Sequence, residues 1–317
     1  MNKTLTHLAA FFILSKQKRR AFRKKHLSKP PQTILIEKID NLTSLIKMQL
    51  DITKVPKATG PLRILQKANC LFLKTIVSVL RENNIDYALY GGNLLGAVRH
   101  KGYIPWDDDT DIMVFRKDYA KIQEIIATAF KKHPQIYTTD GDCIRVFYKD
   151  TPLQIDIFVF DTYPQYLSTR EEKARLKEKI IKYSSNIRYD WKQLGKGRII
   201  SNKTDAQLLA FRNKIVSSTV QTDKKMIISG IEHAGRKPLI IDYDWVFPLK
   251  EMEYEGEMLS VPNKPELILQ EMYGNYMDFP SDFHRHESIT QKISAKSVEL
   301  MTKILEKKDI FIGEQNG

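Results

Sequence analysis

Cysteine is scarce. The 317 residues hold two, Cys70 and Cys143, far apart in the chain. That excludes a disulfide framework and a cysteine-based zinc site, and it fits a reducing compartment. Both read as small core residues. The apolar stretch near the start, "LTHLAAFFIL", is ten residues long, whereas a bilayer-spanning helix takes about 20. It also makes a poor secretory signal, because basic residues follow it where a small-residue cleavage site belongs. Acidic residues are missing from positions 1–30, which carry nine Lys or Arg. The whole chain has 51 basic and 38 acidic residues, a net charge of +13. Most of that excess is therefore local. This argues against a nucleic-acid binder working through its whole surface, and no aromatic–basic interleaving in the core supports one. No repeat period or low-complexity segment stands out.

The basic start has a pattern. Leu5, Leu8, Ala9, Phe12 and Ile13 fall on one helical face, and "KQKRRAFRKKH" follows. An apolar face with a cationic stretch reads as a helix lying on an anionic membrane surface. A disordered basic tail is the plainer alternative. Next, Leu35, Ile39, Leu42 and Ile46 keep a 4-3-4 spacing. Two heptads are few for a coiled coil, so the expectation is a helix packed on its own domain. "TKVPKATGP" reads as a linker.

From residue 62 the periodicities change in a defined order. Ile64 to Leu80 is an amphipathic helix; "YALY" and "DIMVF" are strands; "DYAKIQEIIATAF" is a helix; "IRVFYK" and "LQIDIFVF" are strands. The order predicts a compact α/β or α+β unit. Residues 168–235 read as mostly helical, opened by a capping box of Ser168 and Glu171. "WVFPLKEMEYEGEMLSVP" reads as a hairpin turning near Glu255-Gly256, and "KPELILQEMYGNYM" as a short helix. His284 and His286 in "HRHES" read as part of a solvated loop.

The chemistry gathers in "GGNLLGAVRHKGYIPWDDDTDIMVF", residues 91–115. Asp109 and Asp111 are placed at the start of a strand, where a period of two puts both on one face. Held so, they repel unless a cation sits between them, and an all-oxygen ligand set suits Mg²⁺ or Mn²⁺. Asp156 lies inside an apolar strand, where a lone buried carboxylate is costly unless paired or bound to metal. Neighbouring strands would bring all three to one site. Gly91 and Gly92 follow a strand and precede a helix start, so their amides can approach a phosphate. Arg99, His100 and Lys101 supply cations beside them, with Arg99 the best phosphate clamp. Singly, each feature has a bland reading: a turn, a loop acid, a surface histidine. Asp107 and Asp108 belong to the same acidic loop, as caps or as further ligands.

The run "YGGNLLGAVRHKGYIPWDDDTDI", with "LQIDIFVFD" and residues 246–280, resembles the LicD family. That family includes the fukutin-like proteins and lies within the nucleotidyltransferase superfamily. The resemblance covers about residues 62–165 and 245–280. It implies an α+β fold with a nucleotidyltransferase-like mixed β-sheet core flanked by helices, to which the residues themselves add a mostly helical C-terminal region and an N-terminal basic amphipathic helix. The expected organisation is a membrane-surface segment at 1–30, helix and linker at 31–61, a catalytic core at 62–165 and a helical and hairpin specificity region at 166–317. It further implies a Mg²⁺- or Mn²⁺-dependent phosphotransferase. Such an enzyme moves a phospho-alcohol, phosphocholine from CDP-choline first, onto a sugar of a surface glycan, lipopolysaccharide or capsule, and releases CMP. Ribitol or glycerol phosphate from a CDP-polyol is the alternative donor. A nucleotidyltransferase releasing pyrophosphate and a non-catalytic membrane scaffold are the competing readings.

Under this resemblance Asp109, Asp111 and Asp156 are the metal ligands and catalytic carboxylates, with Asp156 the candidate proton acceptor. Gly91, Gly92, Arg99, His100, Lys101 and Trp106 face the donor. Trp106 or Tyr103 either contacts the donor or packs the loop. The expected partners are a CDP-alcohol, a saccharide acceptor on a lipid carrier and an anionic membrane surface, with no nucleic acid. The expected location is cytoplasmic, peripherally on the inner face of the membrane.

Overall fold

The computed structural model describes residues 51–139, 141–184, 187–189, 199–201, 225–230, 238–280 and 293–311, with scattered positions between 36 and 42. Two compact units divide the chain, Met1–Lys54 and Val55–Gly317. In the first, the basic segment 1–30 lies outside the described residues. Ile36, Ile39 and Leu42 are each more than half exposed. Of the expected seam, Ile39 and Leu42 are thus exposed, while Leu35 and Ile46 lie outside the described residues. Among the described residues no helix is long and apolar enough to cross a membrane.

The second unit opens with helix α1, Gly60–Glu82, started by Pro61, whose missing N–H costs nothing in a first turn. Leu65, Phe72, Leu73, Ile76 and Leu80 recur at helical spacing and are fully buried. Then come β1 (Tyr87–Leu89), α2 (Gly91–His100), β2 (Asp111–Phe115), α3 (Arg116–Ala129), β3 (Ile136–Thr139), β4 (Ile144–Tyr148) and β5 (Gln154–Tyr163). After them follow α4 (Arg170–Ser184), β6 (Ile187–Tyr189), β7 (Ile199–Ser201), β8 (Met226–Ser229), β9 (Ile240–Asp242) and α5 (Tyr243–Val246). The described part ends with β10 (Lys250–Tyr254), β11 (Glu257–Val261), α6 (Pro265–Tyr273) and α7 (Ala295–Lys307).

Among the described residues the main sheet has seven strands, with β1-β2-β5-β4-β3 in order and β8-β9 attached to the far half of β5. β2 and β5 run parallel; the other pairs are antiparallel. This is the mixed α+β architecture expected. β5 is its centre: Ile155, Ile157 and Val159 are fully buried on one face, each contributing roughly 1.5–3 kcal/mol, while Gln154, Asp156 and Phe158 alternate onto the other. Cys70 and Cys143 are free and buried, and burial pushes the Cys70 thiol up to about 12.

The structure adds strands to the expected order, and one local pattern shifts. The sheet does not stop at residue 165, because β8 and β9 extend it. Residues 168–235 contribute, among those described, one helix and the three strands β6, β7 and β8. Runs as short as "MIIS" carry no periodicity, so only pairing declares them strands. The capping box sits one residue later than read. Thr169 Oγ1 accepts the Glu172 N–H, and the Glu172 carboxylate accepts the N–H groups of Thr169 and Ser168. β3, "IYTT", was not anticipated; it is four residues and half polar.

The β10–β11 hairpin turns on Glu255 and Gly256, both at positive φ, as a tight two-residue turn requires. Glu255 is held there by its own carboxylate. It accepts Arg63 Nη1 and Nη2 at 2.9 and 2.6 Å and the Tyr103 N–H at 3.1 Å. A side chain on Gly102 would overlap it.

Candidate active site

β2 and β5 are neighbours in register, with Asp111 opposite Asp156. β4 continues the row, with Arg145 opposite Asp156. Register partners project from the same face, so the order across the sheet is Asp111, Asp156, Arg145. Arg145 forms ion pairs with both neighbours, Nε 3.3 Å from Asp156 Oδ2 and Nη1 2.7 Å from Asp142 Oδ1. Gln154 Nε2 donates to Asp156 Oδ1. The Asp156 main chain is tied to the acidic loop, its N–H donating to the Thr110 carbonyl at 2.8 Å.

Asp109 is not in the strand. β2 begins at Asp111, so the period-two pairing of Asp109 with Asp111 does not apply. Asp109 is instead an exposed loop residue. One carboxylate oxygen each from Asp107, Asp108 and Asp109 lies within 4.8 Å of the others. Burial, then Asp109, Asp156 and Asp107, push the Asp111 carboxyl well above its usual range. Burial and then Asp109 and Asp108 do the same to Asp107, which is buried. Burial also raises Asp156, against the opposing pull of Arg145 and Gln154.

Gly91 and Gly92 open α2 against this cluster. Gly91 has φ +58°, and a Cβ on it would stand 2.9 Å from Asp111 Oδ2. A Cβ on Gly92 would overlap the Asp107 carboxylate. Glycine is therefore required at both positions, at Gly91 by backbone conformation and by contact and at Gly92 by contact. The first amides of a helix have no intrahelical acceptor, and here they open beside the carboxylates.

Residues 84–189 match the family LicD/FKTN/FKRP, nucleotidyltransferase domain. The core is a LicD-family nucleotidyltransferase domain. Among curated relatives, the lipopolysaccharide cholinephosphotransferase LicD of Haemophilus influenzae is 25% identical over 248 residues, 68% of this chain and 92% of that protein. An uncharacterized protein of Rickettsia typhi is 37% identical over 115 residues, 33% of this chain and 37% of that protein. Human ribitol 5-phosphate transferase FKRP is 31% identical over 97 residues, 28% of this chain and 19% of that protein. This chain thus spans nearly all of the first relative but well under half of the other two. Among solved structures, terminal uridylyl transferase 4 from Trypanosoma brucei with bound GTP aligns with 78% of this chain and 97% of that one. Its identity is 13% and its TM-score 0.19, too low to bear on the fold.

Within the LicD-family core the three expected cations sit apart from the glycines. Arg99 is eight positions after Gly91, roughly 12 Å along the helix axis. Its Nη1 donates to the Tyr276 carbonyl at 2.6 Å and its Nε to His100 Nε2 at 3.0 Å. Burial lowers Arg99 to about 10, still charged at neutral pH. Burial and the Arg99 charge lower His100 to about 4. His100 is therefore neutral at pH 7 and is not the cation expected; it also meets Trp106 edge-on at 6.5 Å. Lys101 is exposed and faces Glu253 of the hairpin at 3.8 Å. Trp106 is partly buried against the core, as loop packing requires. Tyr103 is buried, its hydroxyl 2.6 Å from Thr110 Oγ1.

Sequence reading missed Arg145, Gln154 and Tyr273. Arg145 was legible as the one cation in "IRVFY", on the face opposite Ile144, Val146 and Tyr148. Tyr273 ends α6, far from the motif in sequence. The residue is 47% exposed, yet burial of its hydroxyl end, then Tyr90, Asp111, Asp107 and Asp109, raise its pKa. No local signal announces that placement.

Proposed function

We propose that this LicD-family transferase moves a phospho-alcohol, phosphocholine from CDP-choline first, onto a sugar hydroxyl of a surface glycan and releases CMP. The observation that supports the reading is the Asp107–Asp109 cluster and the paired Asp111 and Asp156, with Asp107 and Asp111 set against Gly92 and Gly91. Asp107, Asp111 and Asp156 are raised by burial first and by neighbouring carboxylates second, and carboxylates crowded so are a hard, all-oxygen donor set that suits Mg²⁺ or Mn²⁺. Asp109, Asp111 and Asp156 would hold it, with Asp107 and Asp108 adjoining. Such an ion, when bound, neutralises charge on a diphosphate.

The chain's own residues do the rest. The backbone amides of Gly91 and Gly92, at the N-terminus of α2, donate to phosphate oxygens. Asp156, oriented by Arg145 and Gln154, accepts the proton of the attacking hydroxyl. The oxygen–phosphorus bond to the acceptor forms as the bond to CMP breaks, and CMP leaves with the electron pair. The Tyr273 hydroxyl stays protonated and donates to the donor.

Phosphocholine is placed first because the cholinephosphotransferase of Haemophilus influenzae is matched over most of both chains. Ribitol phosphate is the second reading, on the match to a ribitol 5-phosphate transferase. We assign residues 1–30 to an anionic membrane surface at the inner face, where lipid-linked acceptors would be met. Sedimentation with anionic vesicles, lost on deleting 1–30, checks that part. The main test incubates the full chain with Mg²⁺, CDP-choline, CDP-ribitol or CDP-glycerol, and a glycan extract. CMP release from CDP-choline alone, abolished by Asp109→Ala, is expected. Pyrophosphate from a nucleoside triphosphate, or a nucleoside diphosphate from a sugar nucleotide, would overturn the reading.

A further inference from the structure

Three buried carboxamides hold the acidic loop. Gln66 and Asn69 lie on α1 and Asn93 in the first turn of α2, and each is 1% exposed. Gln66 Nε2 donates to the Asp107 carbonyl at 2.8 Å. Asn69 Nδ2 donates to the Asp108 carbonyl at 3.4 Å, and Asn93 Nδ2 to the Asp109 carbonyl at 3.4 Å. Three successive aspartates thus have their backbone carbonyls gripped by three separate side chains, one each.

Each amide has a further contact that ties the loop elsewhere. Gln66 Nε2 also reaches the Ile104 carbonyl at 3.2 Å, at the loop's start. Asn69 Oδ1 accepts the Gln154 N–H at 3.2 Å, at the head of the strand that carries Asp156. Asn93 Oδ1 accepts the Asp111 N–H at 2.6 Å, and its Nδ2 reaches the Tyr254 hydroxyl at 2.8 Å, on the hairpin. The loop is fastened to α1, α2, β5 and the hairpin at once.

The residue type matters. A run of aspartates repels itself and splays unless something holds the backbone. Lysine or arginine would hold it but would also neutralise the carboxylates and compete with a cation. A carboxamide grips a carbonyl without adding charge. Left unmade, each buried bond costs about 1–3 kcal/mol, so such a set is not incidental packing. We infer that Gln66, Asn69 and Asn93 are positioning residues that preset the Asp107–Asp111 backbone for a divalent cation. The inference rests on the metal-site reading above.

The test is a Mn²⁺ titration of the full chain, followed by electron paramagnetic resonance of the free ion. Gln66→Met keeps the side chain's size and removes the donor. Asn93→Ser is smaller and still polar, and it serves if the first variant does not fold. Ser229→Ala, which removes a buried bond to the Leu239 N–H at 2.8 Å, is the control for general destabilisation. Loss of partners behind a ligand set typically weakens metal binding by about 10- to 100-fold. That loss in the frame variants, with control affinity unchanged despite a lower Tm, is the expected result. Folded frame variants with wild-type affinity overturn the inference while leaving the metal reading intact. Wild-type protein that takes up no Mn²⁺ overturns the metal reading, and the frame's purpose with it.

Discussion

Asp111 and Asp156 stand opposite each other on adjacent parallel strands, 45 residues apart in sequence. Two carboxylates placed so are mutually destabilising without a cation. Asp111→Asn is expected to stabilise the metal-free protein by about 1 kcal/mol, or about 2–4 °C in Tm for a domain of this size. Adding Mg²⁺ should raise the Tm of the wild type and not of the variant. Thermal scans with EDTA and with Mg²⁺ check both. A variant less stable than wild type in EDTA would show that the pair does not repel.

Gly91 admits no side chain. Gly91→Ala places a Cβ at φ +58° and against Asp111 Oδ2. The backbone cost is about 1–2 kcal/mol, and the displaced carboxylate should cost the protein its Mn²⁺ affinity. Gly256→Ala is the comparison: its φ is +84°, and nothing lies within 4 Å of the new Cβ. Similar stability losses with Mn²⁺ binding impaired only in Gly91→Ala are the expected outcome of urea unfolding and metal titration.

Glu255 links the C-terminal hairpin to the motif. Burial raises its carboxyl, but the Arg63 fork outweighs that, and the net shift is downward from 4.5. A lowered acid contributes stability that is present above its unfolded pKa and is lost as pH falls through the folded one. Glu255→Gln should therefore cost about 1.5–3 kcal/mol at pH 7. The gap to wild type should close as pH drops below about 4.5. Urea midpoints across pH 3–7 measure it.

The Tyr273 hydroxyl, on a helix outside the motif, feels the charge of Asp111, Asp107 and Asp109. Tyr273→Phe removes only that oxygen and should leave stability within about 1 kcal/mol. We expect KM for the donor to rise about tenfold with kcat less affected, since the ring stays. Steady-state kinetics with the active CDP-alcohol decide it. Unchanged KM and kcat would leave the hydroxyl without a role in the reaction.

The elements of the core were legible wherever periodicity was long. α1 shows its apolar face over six turns, and β5 alternates Ile155, Ile157 and Val159 against Asp156. The acidic residues were legible because packing gives no reason for "DDDTD" in an apolar setting. What failed was local extrapolation. Asp109 was placed in a strand that begins two residues later. His100 was given a charge that burial removes. The capping box was set one residue early, because two overlapping patterns, Ser168–Glu171 and Thr169–Glu172, fit equally well.

The sequence by itself determined which groups are available: glycines at a helix start, a crowd of carboxylates, amides and one arginine at strand spacing. Those follow from residue type and short-range period. Only the tertiary structure decided which of them meet. Strand pairing set Asp111 beside Asp156 and Arg145, and helix packing brought Gln66, Asn69 and Asn93 onto successive aspartate carbonyls. Contacts across 11 to 45 residues are set by the competition of all burial and pairing at once, and no local pattern records their outcome.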